Sequence, residues 1–263
     1  MADQSISVII PSYNSSAYIL EAIESVLNQT YNRAENSRLE IIIIDDGSTD
    51  DTKAVLKPLI DQKKILYIFQ ENSGQAKARN SGILQATGKY IAFLDADDVW
   101  APTKIEEQLS LLVKYPEAIV HTGRYIIGGA EVDDRVYSGR ITRHLVLNNF
   151  IVNSSVMGPA NIFKENMFDE SASFRVIEDY ELWLRLSLSH DFVYVGKPLV
   201  GYRIHPQQSS GDYIPVLNRT IDLHRKLIYR KGFLKYAPLS AYIWIRLKIC
   251  SIIKRYHALH AEK

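Results

Sequence analysis

Residues 88–100 read Gly88-Lys89-Tyr90-Ile91-Ala92-Phe93-Leu94-Asp95-Ala96-Asp97-Asp98-Val99-Trp100. An apolar run, residues 90–94, is stopped by three carboxylates within four residues. Short apolar runs bounded in this way read as buried strands, and a buried strand of a parallel sheet is covered by helices on both faces. In open α/β sheets, ligands bind just outside the carboxyl ends of the strands. Asp95, Asp97 and Asp98 are therefore expected where a ligand would sit, too close together to be comfortable without a cation. A hard divalent ion resolves that repulsion, and Mg²⁺ or Mn²⁺ is commonly held by one or two carboxylates plus substrate phosphates. The competing reading is a solvated acidic turn that caps the helix after Pro102, since Asp is a common cap and turn residue.

Upstream, residues 7–10 form a short β-branched run that Pro11 is expected to end. Ser15 or Ser16 can cap a helix whose Ile19, Ala22, Ile23, Val26 and Leu27 recur at helical spacing. Residues 39–44 give a second strand, closed by Asp45-Asp46-Gly47-Ser48-Thr49-Asp50. A short helix carries Val55 and Leu56, with Pro58 kinking or ending it, and residues 65–69 give a third strand. A helix over about residues 75–86 leads to Gly88, a candidate C-cap. Beyond the opening stretch, Pro102 begins a helix with Ile105, Leu109, Leu112 and Val113 on one face, and residues 118–121 read as a strand. Over residues 123–155 the periodicity fades, and a long irregular stretch in a compact domain is often a binding loop. Strands alternating with helices at this spacing imply right-handed βαβ units in an α/β fold, with a doubly wound, mostly parallel sheet and helices on both faces.

The 263 residues suffice for one large α/β domain with a full core, or a domain plus an appendage. Hydrophobic content of 46% and charged content of 23% are those of a soluble globular chain. Cys250 is the only cysteine, so no internal disulfide forms and a reducing compartment is expected. Residues 1–4 lack the basic start of a signal peptide, and no uncharged apolar stretch reaches transmembrane length, so a cytoplasmic location is expected. The net charge of +1 conceals an asymmetry. Residues 214–263 hold 11 Lys or Arg against 2 acidic residues, leaving 20 basic against 28 acidic in the rest. Such a division calls for an explanation in terms of partners.

Two nucleotide-binding signatures are absent. The first strand is followed by Pro11-Ser12-Tyr13-Asn14 and not by a G-x-G-x-x-G turn. The nearest approach to a P-loop, Gly82 to Gly88-Lys89, has the wrong spacing and Tyr90 in place of Ser or Thr. A nucleotide bound here would be held by carboxylates and a metal, not by glycine amides.

Six pieces fall in one order. They are Val8-Ile9-Ile10-Pro11-Ser12-Tyr13-Asn14, Asp45-Asp46-Gly47-Ser48-Thr49-Asp50, Asn72-Ser73-Gly74 leading to Ala78-Arg79-Asn80, Leu94-Asp95-Ala96-Asp97-Asp98, Glu178-Asp179, and Tyr202-Arg203-Ile204-His205. Over roughly residues 5–210 this resembles the family 2 glycosyltransferases of GT-A fold, bacterial sugar transferases that build surface polysaccharides. The resemblance implies that the first three motifs, Pro11 among them, hold the base and sugar of a nucleotide, usually UDP. Tyr13 would lie by the uracil, as aromatic faces stack on bases; its alternative is one more packed ring among 16 tyrosines. Asp46, or less favourably Asp45, would accept from the uracil imide, the alternative being an Asx-turn with Gly47. Arg79 would reach the nucleotide or its diphosphate, a task that suits a planar guanidinium, where otherwise it reads as a solvated helix charge. Asp95 corresponds to the ribose ligand, Asp97 and His205 to the ligands of Mn²⁺ or Mg²⁺, and Asp98 to an acceptor from water or the phosphates.

Glu178-Asp179 opens a helix, residues 180–186, that is apolar on nearly every side. Carboxylates in a first helical turn are favoured by the macrodipole whatever else they do. The resemblance makes Asp179 the general base that takes the acceptor hydroxyl's proton, with inversion at the anomeric carbon following from a single displacement. Residues 155–163 and 168–175 would shape the acceptor side. A nucleotide-sugar half of about residues 1–100 and an acceptor half of about 101–213 thus make a catalytic domain, 1–213, followed by a basic helical extension, 214–263. That extension reads as two helices, residues 216–230 and 238–256, in which Arg246 and Lys248 interrupt an apolar run and argue against a membrane span. A basic amphipathic helix with Trp and Tyr suits an anionic membrane surface, here the inner face of the cell membrane; its rival is a helix pair packed on the catalytic domain. No nucleic-acid-binding motif accompanies the charge. The expected function is inverting, metal-dependent transfer of a sugar from a nucleotide sugar to a glycan or lipid-linked acceptor. The alternatives are a catalytically inactive nucleotide-sugar-binding scaffold and a sugar-phosphate nucleotidyltransferase, whose glycine- and Arg/Lys-rich phosphate loop is missing after the first strand.

Overall fold

The structure, a computed structural model, describes residues 4–33, 38–129, 137–206, 208 and 213–260. β1 (Ile6–Ser12) and β2 (Leu39–Asp45) pair in parallel along their whole length. Alternation on these strands divides the core in two. Ile41 and Ile43 join one apolar cluster with Val8, Ile10, Ala22, Ile23 and Leu56, while Ile42 and Ile44 join another with Ile9, Ile83, Phe93 and Trp183. Because successive side chains of a strand point to opposite faces, an isoleucine run of this kind is stable only between two layers of helices.

The first layer begins with α1 (Ile19–Leu27) and α2 (Thr52–Asp61). β3 (Leu66–Phe69) pairs outside β2, and α3 (Gln75–Gln85) lies on the other face. β4 (Tyr90–Phe93) pairs in parallel with β1 on its other side. The second half contains β5 (Val99–Trp100), α4 (Lys104–Lys114), β6 (Ile119–Ile126), α5 (Thr142–Leu147), β7 (Met157–Pro159), α6 (Ala160–Glu165), α7 (Glu178–Leu186) and β8 (Phe192–Tyr202). The sheet order is β3-β2-β1-β4-β7-β6-β8-β5, parallel except where β7 pairs with β4 and β6 and where β5 pairs with β8. Two further helices, α8 (Tyr213–Tyr229) and α9 (Ala237–His260), close the chain. Leu223, Leu227 and Phe233 of this last segment are buried in the same cluster as Trp183, so the tail is packed on the sheet's helical layer.

Several local expectations are corrected. β1 runs through Pro11 to Ser12. The Ile9 carbonyl accepts from Leu94 N–H on the β4 side, and Pro11, two residues on, faces that side beyond the last β1–β4 pair, Ile9 with Phe93. Its missing N–H therefore leaves no ladder bond unmade. Neither Ser15 nor Ser16 caps α1, which starts after Tyr18 without a side-chain cap. Pro58 lies inside α2, which continues to Asp61. Gly88 is no C-cap, since α3 ends at an extended Ala86. A Cβ at Gly88 would stand 2.6 Å from the Ser7 nitrogen, so glycine is needed for the close crossing over β1. The stretch 123–155 is less irregular than its lost periodicity implies: β6 reaches Ile126 and α5 occupies Thr142–Leu147. Residues 130–136 of it lie outside the described residues, as do 209–212 at the expected domain boundary.

Candidate active site

At the carboxyl ends of β1, β2 and β4 lies a cleft of about 770 Å³ lined by Pro11, Tyr13, Asp46, Asp95, Asp97 and His205. Tyr13 is 51% exposed, so it is a free ring at the cleft and not a packed one. The loop that carries it is clamped to the β2–α2 loop by Asn14, whose Oδ1 accepts from Thr49 N–H at 2.8 Å. Asp46 is buried, and its carboxylate accepts from Ser73 N–H at 2.9 Å, Gly74 N–H at 2.8 Å and Gln70 Nε2 at 2.7 Å. It thereby ties the 72–74 loop against the cleft. The Asx-turn belongs to Asp45, whose Oδ1 accepts from Ser48 N–H at 2.8 Å and whose Oδ2 accepts from the Tyr67 hydroxyl at 2.6 Å. Gly47, at φ 81°, supplies the left-handed residue that this turn requires.

The acidic cluster is sorted by its partners. Asp98 is buried: its Oδ2 accepts from Ser154 Oγ at 2.6 Å and its Oδ1 from Arg203 N–H at 3.1 Å. Burial, and then the charges of Asp95 and Asp97, push its carboxyl well above the usual range. Its bonds tie the segment after β8 to the floor of the site, in place of the contact with water or phosphate that was expected. Asp97 accepts from or donates to His205 Nε2 at 2.9 Å, with burial and the neighbouring Asp95 raising its pKa. Arg203, on the same segment as His205, donates to the Asp97 carbonyl and to Glu21 and lies over the Tyr18 ring. It thus sets where His205 stands. No cluster of three metal-ligating groups exists among the described residues. Asp97 and His205 Nε2, 2.9 Å apart, form a carboxylate–imidazole pair that fits an ion taking its other ligands from a substrate diphosphate.

Arg79 is 3% exposed, which excludes the solvated reading. Its Nη1 donates to Glu178 Oε1 at 2.8 Å, and its Nη2 donates to Asp95 Oδ1 at 2.8 Å. Both terminal nitrogens of the residue expected at the diphosphate are therefore engaged by carboxylates, one on each side of the site. The Asp95 orientation is fixed further by Asn153 Nδ2 at 3.1 Å. Beyond this row lies a second cavity of about 410 Å³, lined by Asp179, Glu178, Arg79, Asn153, Tyr180 and His224 among others. Asp95, Asp97 and Glu178 line both cavities, so the two meet at these carboxylates. Asp179, half-buried, has its pKa raised to about 7, first by burial and then by the charge of Glu178, with Arg79 acting in the opposite sense. Immediately before the pair, Val176 holds φ 75°, an unfavourable backbone for a β-branched residue, and it lines both cavities.

The lining does not follow the divisions expected at residues 100 and 213. Asp169, Glu170 and Arg175, expected to shape the acceptor side, line the first cleft and not the second cavity, the segment before α7 being held to α3 by Asn80, which bonds to Phe168 and Glu170. The second cavity is walled by residues 147–153 and by Val216, Thr220, His224, Ile243 and Leu247 of the C-terminal helices. Asn153 and His224 were not singled out by any motif. Asn153 falls where periodicity fades, and a lone histidine within an amphipathic helix carries no sequence signal.

The sequence profile of glycosyl transferase family 2 matches residues 7–175. A glycosyltransferase of Rickettsia felis is 39% identical over 210 residues, 77% of this chain and 33% of that protein. The chain spans about a third of the length of this and two other Rickettsia relatives. TuaG of Bacillus subtilis, named as a teichuronic acid biosynthesis glycosyltransferase, is 33% identical over 239 residues, 88% of this chain and 90% of TuaG. Among solved structures, S. aureus TarS 1–349 in complex with UDP-GlcNAc superposes with a TM-score of 0.66 at 19% identity, covering 86% of this chain and 67% of that one. The mannosyltransferase PcManGT from Pyrobaculum calidifontis, in complex with GDP-Man and Mn²⁺, gives 0.67 at 14% identity, covering 100% of this chain and 80% of that one. At these identities the likeness is one of fold, and the fold is GT-A. The chain belongs to glycosyl transferase family 2.

Proposed function

We propose that the chain transfers a sugar, with inversion, from a UDP-linked donor to a hydroxyl of a glycan or lipid-linked glycan in cell-surface polysaccharide synthesis. The observation that carries this is the meeting of two cavities at Asp95, Asp97 and Glu178, with Asp179 on the far side from Tyr13 and Asp46. A donor in the first cleft would have its base by Tyr13 and Asp46 and its ribose by Asp95, with its anomeric carbon toward the second cavity. An acceptor hydroxyl there gives its proton to Asp179 as its oxygen bonds to the anomeric carbon. The bond from that carbon to the diphosphate oxygen breaks, and the nucleoside diphosphate leaves with the electron pair. A single displacement of this kind inverts the centre. A base whose pKa is near 7 is matched to proton abstraction at neutral pH. Asp97 and His205 would hold Mn²⁺ or Mg²⁺, which when bound neutralises charge growing on the leaving group. Arg79, joined to Asp95 on one side and Glu178 on the other, keeps the donor and acceptor walls in register.

Support for the donor class comes from the fold-mates that bind UDP-GlcNAc and GDP-Man, and for the acceptor class from TuaG. A position on the inner face of the cell membrane is part of the proposal: among the described residues no helix is long and apolar enough to cross a membrane, and Tyr242, Ile245 and Ile249 are exposed on α9 beside Arg246 and Lys248. The test is incubation with a panel of UDP-, GDP- and TDP-sugars and Mn²⁺, reading released nucleotide and the anomeric configuration of the product. UDP-sugars should be consumed with inversion. A panel in which no nucleotide is released and UDP does not bind would overturn the reading.

A further inference from the structure

Asp95 and Asp97 stand on the turn between β4 and β5, which is closed within itself by one main-chain bond, Asp98 N–H to the Asp95 carbonyl at 3.1 Å. Its other restraints come from distant parts of the chain. Ser154 lies in a short 3₁₀ turn, Asn153–Ser155, and is fully buried. Its Oγ accepts from Asp95 N–H at 3.0 Å and donates its one proton to Asp98 Oδ2 at 2.6 Å. Asp98 Oδ1 accepts in turn from Arg203 N–H at 3.1 Å, two residues before His205. One hydroxyl thus joins the main chain of Asp95 to the segment that carries His205, and between these ends Asp97 and His205 Nε2 are brought to 2.9 Å. A hydroxyl can accept and donate at once, which an amide on one side and a carboxylate on the other require.

The turn that carries Ser154 is itself anchored. Its Ser154 carbonyl accepts from Trp100 Nε1 at 2.8 Å, and its Ser155 carbonyl from Gln108 Nε2 at 2.9 Å. The same Gln108 nitrogen donates to the Val120 carbonyl at 2.9 Å, and Gln108 Oε1 accepts from Lys104 Nζ at 2.6 Å. Lys104, fully buried, lies 3.8 Å over the Trp100 ring. Residues of α4, β5 and β6 therefore hold the turn in place, and a buried polar network satisfied in this way specifies one geometry. Ser154 lines neither cavity, so it acts on a ligand only through other residues. We propose that Ser154 is a positioning residue for the Asp97–His205 pair: its hydroxyl, bridging Asp95 N–H and the Asp98 carboxylate, sets the spacing at which these two side chains hold a divalent ion against the donor's diphosphate. The proposal rests on the donor and metal binding argued above and adds to it a residue that none of the six motifs contains. Partners of this outer kind orient metal-binding side chains, and their loss commonly lowers metal affinity by about 10- to 100-fold.

The experiment titrates UDP calorimetrically into the full chain, in Mn²⁺ and in EDTA, for the parent, Ser154→Ala and Ser187→Ala. Ser187 is the control: it is fully buried, its Oγ donates to the Leu184 carbonyl at 2.8 Å, and it lines neither cavity. Urea midpoints of all three report what each lost hydroxyl does to stability alone. The ratio of UDP affinity in Mn²⁺ to that in EDTA should fall about tenfold or more in Ser154→Ala, with the affinity in EDTA unchanged. In Ser187→Ala the ratio should be that of the parent, whatever its urea midpoint. A parent-like ratio in folded Ser154→Ala would overturn the proposal. So would an equal loss of affinity in Mn²⁺ and in EDTA, or an equal fall of the ratio in Ser187→Ala, since either is what a purely structural hydroxyl produces. Should Ser154→Ala not fold, amide exchange in the parent carries the test. UDP with Mg²⁺, compared with UDP in EDTA, should slow exchange at the Asp95 and Arg203 amides together, and exchange there that ignores the metal would overturn the proposal. UDP that fails to bind the parent, or binds it equally in Mn²⁺ and in EDTA, would instead remove the underlying reading, and this one with it.

Discussion

Asp179 and Glu178 are neighbours in the chain with different surroundings. Glu178 is buried against Arg79, while Asp179 faces the second cavity and is raised to about 7 by burial and by Glu178. A base must be deprotonated to act, so transfer should be lost as pH falls through about 7 and should level off above it, kcat/KM dropping about tenfold per unit on the acid side. A flat profile between pH 5 and 7 would contradict the assignment. Asp179→Asn should lower turnover by a factor on the order of 10² to 10⁴ while UDP binding survives; near-normal turnover would move the role to another carboxylate. Arg79 acts differently. Replacing it with Met strands Asp95 and the buried Glu178 without their shared cation, and breaking a buried pair in this way costs about 3–5 kcal/mol. Urea unfolding would read that loss, and a change well under about 1 kcal/mol would show that the triad is not the tether inferred here.

At the scale of elements, α7 places the Glu178-Asp179 pair and owes its position to Trp183. That side chain is fully buried and meets Phe93 of β4, Phe163 of α6, Phe168 and Phe192 of β8 at centroid distances of 6.3–6.5 Å. Trp183→Ala should destabilise the fold by about 3–5 kcal/mol, the usual cost of a large buried aromatic, and the same urea midpoint would register it. The elements were the most legible part of the sequence. Isoleucines alternating between two cores mark β1 and β2 wherever they are read, and an apolar run stopped by carboxylates marks β4. Elements whose form depends on a neighbour were harder to read. Pro11 can stay in β1 only because β4 has already ended, and Gly88 is explained by Ser7 across the crossing. In the site, Asp95 and Asp97 stood out by their crowding alone. The Asp97–His205 contact joins residues 108 apart in sequence and entered only through the family resemblance. Asn153 and His224 reach the second cavity only through the fold, one from a stretch without periodicity and the other from α8.

For the whole molecule, the charge asymmetry acquires a location. The basic segment covers the cavity side of the molecule, with Leu223, Leu227 and Phe233 buried and Lys231, Lys235, Arg246 and Lys248 exposed. Deleting it would open the core, so the membrane proposal is better tested by changing those four cations to Glu in the full chain. Each basic residue near an anionic surface contributes about 1 kcal/mol. The parent should therefore sediment with anionic vesicles at low salt and be released at high salt, while the variant stays in solution; equal pelleting of the two would remove the membrane from the account. The central claim is that one site binds a nucleoside diphosphate through Asp97 and performs chemistry through Asp179. Calorimetric titration of UDP into the parent, Asp97→Ala and Asp179→Asn, each with Mn²⁺ and with EDTA, separates the two roles most directly. The account predicts tighter UDP binding with Mn²⁺ in the parent and in Asp179→Asn, and no difference between Mn²⁺ and EDTA in Asp97→Ala. Equal UDP affinity with and without metal in the parent would contradict it.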